Sequence, residues 1–147
     1  MLKAVDIRPI WQEVYRGILS VWREMPWRDW IPEDIYAACI TGSAALLVGE
    51  GMEPSDGFIV CRMDETETGK NLFIWIAWCP TENGAATIYE ELDNIAANNG
   101  CTSIEFVTGE PKLVKHASQF GYNSVMYEVR KQIKPIVQEP ESTDADL

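Results

Sequence analysis

The sequence predicts an α/β (α+β) fold: a mixed, mainly antiparallel central sheet with helices on both faces. Three observations carry the prediction. An apolar stripe at helical spacing, Trp11, Val14, Ile18, Val21 or Trp22 and Met25, lies near the start of the chain. Three short apolar runs then follow one another across turn-forming residues, as strands joined by reversals do. The last third alternates helix, strand, helix and strand patterns, which brings in parallel pairing.

Taken in order, residues 2–8 form a short first strand in which Leu2, Ala4 and Ile7 alternate loosely with polar positions before Pro9 stops the ladder. The first helix runs from Trp11 and ends at Pro26. A linker, Trp27 to Trp30, leads to Pro32-Glu33-Asp34, where a proline and two acids suit the first turn of a second helix. Gly42 stops that helix. The runs 44–48, 57–63 and 71–79 are strands, with turns at Glu50-Gly51 and Glu67-Thr68-Gly69-Lys70. The third run is apolar on both faces, which places it centrally with helices above and below. A helix over 84–98 buries Ile88, Leu92 and Ile95, and Asn99-Gly100 closes it. A strand at 102–107, a helix from Pro111 to Phe120 ended by Gly121, and a last strand from Ser124 to Lys131 complete one domain over residues 1–133. Residues 134–147 are acidic, carry prolines and are poor in large apolar side chains, so they are expected to be a flexible tail.

Charge narrows the function. Twelve Lys and Arg against 23 Asp and Glu give a net charge of −11, which repels a phosphate backbone, so nucleic acid is not an expected partner. No run is long enough to span a membrane, and the first nine residues lack the apolar stretch of a signal peptide, so the expected location is the cytoplasm or a particle assembled there. Cys39, Cys61, Cys79 and Cys101 are widely spaced with no CxxC pair, so no metal site is expected, and buried free thiols are the plain reading. Trp11, Trp22, Trp27 and Trp30 either pack inward or offer a docking surface.

The strand Phe73 to Cys79, the helix from Gly84 and the segment Val114-Lys115-His116-Ala117-Ser118-Gln119-Phe120-Gly121-Tyr122 together resemble the GCN5-related N-acetyltransferase (GNAT) family, over residues 2–132. The last segment is similar to the family's penultimate helix, which ends in a Gly-aromatic pair. The resemblance implies a cofactor site for acetyl-CoA formed by Ile76, Trp78, Thr81, Asn83, Gly84, Ala85 and Ala86. The family's signature there is Gln/Arg-x-x-Gly-x-Gly/Ala. This chain has Thr81 at the amide or cation position, and Glu82 beside it sets a negative charge against the phosphates. The family's proton donor, a Tyr four residues before the Gly-aromatic pair, is Ala117 here. His116 lies about 100° round the helix from it. Asp64, Glu65 and Glu105 are carboxylates within range of the family's base position, but nothing singles one out. No catalytic residue is therefore assigned, and no cofactor is expected.

The style of Trp30 to Tyr36, Asp56-Gly57-Phe58 and Leu72 to Trp78 resembles GNAT-like proteins of tailed bacteriophages and prophages. This resemblance implies a catalytically degenerate protein with a structural or interaction role in a virion or its assembly, whose partners are other phage or host proteins. The alternative it implies is an acetyl-CoA-dependent N-acetyltransferase acting on an amine.

Overall fold

A computed structural model describes residues 1–25, 28–80, 85–125 and 127–136, the side chains of 85–87 excepted. The elements are β1 (Leu2–Val5), α1 (Trp11–Glu24), α2 (Pro32–Thr41), β2 (Ala45–Gly49), β3 (Phe58–Thr66), β4 (Gly69–Trp78), α3 (Ala85–Asn98), β5 (Ser103–Phe106) and α4 (Pro111–Ser118). Short 3₁₀ turns at Arg8–Ile10 and Pro54–Asp56 lead into α1 and β3.

The helices begin and end for local reasons. Pro32 opens α2 with its φ already helical, and the Asp34 carboxylate accepts the Ile31 N–H at 2.9 Å, satisfying one of the donors a helix start leaves over. Gly42 takes φ 81° at the other end, a conformation that costs glycine least. The stripe on α1 buries Val14, Gly17 and Ile18.

The five strands lie in the order β1-β2-β3-β4-β5, antiparallel as far as β4 and parallel between β4 and β5. A parallel pair needs a long crossover, and α3 provides it. Two apolar clusters sit on opposite faces. Ile7, Val14, Ile18, Ile35, Leu46, Val48, Phe58, Val60 and Ile76 join α1 and α2 to one face. Leu47, Ile59, Cys61, Leu72, Ile74, Leu92 and Ala96 join α3 to the other. Side chains fully buried in this way, such as Ile18, Ile35 and Leu72, each contribute about 1.5–3 kcal/mol.

The strand β4 carries an irregularity. Val60 pairs with Ile76 but Cys61 pairs with Ile74, so Trp75 is the extra residue of a β-bulge. Before it, Leu72 and Ile74 face α3; after it, Trp75 and Ile76 both face α1 and α2.

The structure corrects several expectations. The first strand stops at Val5, and Ile7 enters the core from the turn beyond it. The β3–β4 hairpin is longer than its apolar run: Asp64, Glu65 and Thr66 extend β3, and Glu65 lies opposite Lys70, a favourable cross-strand charge pair. The strand β4 is interior but fourth of five, because none of the described residues of the expected last strand over 124–131 joins the sheet; they are exposed and outside every ladder. The helix predicted to reach Phe120 ends at Ser118. Cys61 is buried, Cys39 and Cys101 are half-buried, and Cys79 is exposed; none is in a disulfide. The described tryptophans of the first third pack inward. Trp11 meets Tyr36 at 4.9 Å, Trp30 meets Trp75 edge-on at 6.0 Å, and the Trp22 Nε1–H donates to the Trp30 carbonyl at 2.7 Å. Trp27 and the tail from residue 137 lie outside the described residues.

Candidate functional site

In open sheets with parallel strands, ligands bind beyond the carboxyl ends of those strands, where the connections diverge. Here that place is the end of β4 and β5. Their parallel ladder stops at Ile74 opposite Phe106, whereas β4 continues beside β3 as far as Trp78 opposite Phe58. From Trp75 to Trp78 no described strand flanks β4 on the β5 side, so the bulge stands where the two strands part. Ala77, facing α3 in this stretch, is exposed. The first described residue of α3, Ala85, follows shortly in the chain, and a helix start attracts anions.

The expected cofactor residues divide accordingly. Ile76 is buried against α1 and α2 and Trp78 lies on Phe58 at 5.5 Å, so neither side chain faces the opening, and only their backbone groups could hold a ligand there. Ala85 begins α3 and Ala86 follows it. Thr81, Asn83 and Gly84 lie outside the described residues, as does Glu82.

An aromatic block closes the far side. Tyr89 of α3 stacks on Phe120 at 4.3 Å and meets Tyr122 at 5.5 Å, and Tyr122 reaches Phe106, the last residue of β5, at 5.4 Å. Burial, with Asp93 and Tyr89 adding smaller effects, pushes the Tyr122 phenol up to about 12; burial also raises that of Tyr89. Both remain protonated near neutral pH, in the form that donates. Sequence reasoning treated Tyr122 only as half of a Gly-aromatic pair and passed over Tyr89. A signal was present, since Tyr89 sits one position from Ile88, at the edge of the apolar stripe of α3.

Ala117 is buried, only 1% exposed, and its carbonyl accepts the N–H groups of Phe120 and Tyr122 at 2.9 and 3.3 Å. His116 is on the exposed side of α4 as expected, where it leans on Tyr89 and Phe120. The carboxylates are not gathered at the opening. Asp64 accepts from Arg62 Nε at 3.1 Å within the β3–β4 hairpin, Glu65 lies opposite Lys70, and Glu105 is exposed on β5. Arg62 also covers the Phe73 ring at 4.4 Å. Among the described residues no group of His, Cys, Asp and Glu could hold a metal ion, and no helix is long and apolar enough to cross a membrane.

No protein-family model matches this chain, and no curated protein matches it in sequence. Solved structures do match its shape. A mutant of the BH1408 protein from Bacillus halodurans superposes with a TM-score of 0.68 at 12% identity, covering 91% of this chain and 99% of that one. An aminoglycoside acetyltransferase from an uncultured soil metagenomic sample, in complex with sisomicin, gives 0.66 at 9% identity, covering 91% and 96%. An acetyltransferase of Trypanosoma brucei gives 0.63 at 13%, covering 90% and 99%. At these identities the likeness shows the fold, and the fold is that of the GNAT acetyltransferases.

Proposed function

We propose that this chain is a GNAT-fold protein that no longer transfers acetyl groups and works by binding other proteins, as a phage-type structural or assembly component with phage or host proteins as partners. The observation that carries the reading is Ala117. At the position where the family resemblance calls for a proton-donating phenol stands a methyl group, and it is sealed into α4 with no room for a donor. In the sequence, Thr81 and Glu82 add to this, since neither helps to hold a pyrophosphate and the carboxylate opposes one.

The fit of acetyl-CoA to the site is therefore split. The backbone half, an open β4 edge at Trp75–Trp78 and the start of α3, suits it. The side-chain half does not. Isothermal titration with acetyl-CoA tests the proposal: the expected result is no heat of binding up to millimolar cofactor, and micromolar binding with thioester cleavage would overturn it.

A second reading, an acetyl-CoA-dependent N-acetyltransferase acting on an amine, is favoured by one observation: Tyr122 lies against Phe106 at the end of β5 with Tyr89 packed on it, and burial raises both phenols further above neutral pH. Under that reading the backbone of Ile76 and Trp78, with Thr81, Asn83, Gly84, Ala85 and Ala86, holds the cofactor. Thioester cleavage that Tyr122→Phe abolishes would establish it.

A further inference from the structure

We draw no further inference here: the strongest candidate, the side-chain cluster on the β3–β4 face of the sheet in which the Arg62 guanidinium lies 4.4 Å from the centre of the Phe73 ring and 5.4 Å from that of Trp75, carries nothing, because Arg62 is already paired with Asp64 and nothing in the structure shows what covers the rings.

Discussion

Gly17 of α1 lies directly against the ring of Phe58 on β3: a Cβ at position 17 would stand 2.5 Å from Phe58 Cε1 and 2.9 Å from Trp78 Cδ2. Both atoms belong to rings packed together, and Phe58 is buried, so neither can swing aside. Alanine gains up to about 1 kcal/mol over glycine in a helix interior, but overpacking costs about 1–3 kcal/mol. The steric term wins. Gly17→Ala is expected to destabilise the chain, read as a lower urea midpoint at unchanged slope.

Ala117→Tyr is the substitution that would restore the family's proton donor. Burial of Ala117 means that a phenol must force α4 off its neighbours, at about 1–3 kcal/mol. The variant is expected to unfold at lower urea concentration and to cleave no acetyl-CoA. A stable variant that gained thioester cleavage would show that the chain lacks only this one group.

The thiols should react in order of exposure. Cys79 is the only exposed one of the four, and Cys61 is buried. Under native conditions a thiol reagent at mildly alkaline pH is expected to modify Cys79 first, seen as a single fast phase that Cys79→Ser removes, and to reach Cys61 only after denaturation.

Alkali should destabilise the fold in steps. Burial raises the thiols of Cys39 and Cys61 from 9.0 to about 11, and that of Tyr122 rises from 10.0 to about 12. Above pH 9 the unfolded chain loses thiol protons that the folded chain retains, so stability is complete below that pH and falls as pH climbs toward 11. Tyr122 extends the fall from pH 10 toward 12. Chemical unfolding as a function of pH is expected to show this decline, with Cys61→Ala shallower in its first part.

Much of the fold was legible because periodicity and punctuation agreed. The stripe from Trp11, the proline and acids before Ile35, Gly42 and the apolar face Ile88-Leu92-Ile95 each specify an element through local chemistry, and each element formed. The last strand misled for a definite reason: alternation in Val125-Tyr127-Val129 reports what a segment can pair with, whereas pairing itself depends on a neighbour that sequence spacing does not name. The hairpin end at Asp64 to Thr66 was missed because solvent-facing strand residues need not be apolar. At the site, the placing of His116 on another side of its helix from Ala117 was legible from helical spacing, whereas the burial of Ala117 came only from the structure. Tyr89 with Tyr122 was not, since three elements bring them together and no local pattern links residues so far apart.

The bulge at Trp75 explains why the run 71–79 looked apolar throughout, and it decides where the strand can change length. The one-residue step in β4 makes its two halves follow opposite parities, each matched to a different set of helices. Loss of Trp75 itself would only remove the bulge, leaving Ile76, Ala77 and Trp78 on their present faces, whereas loss of a residue within either half would slip that half against β3 and turn its side chains over. Position 75 should therefore be the place in β4 where a deletion is tolerated best.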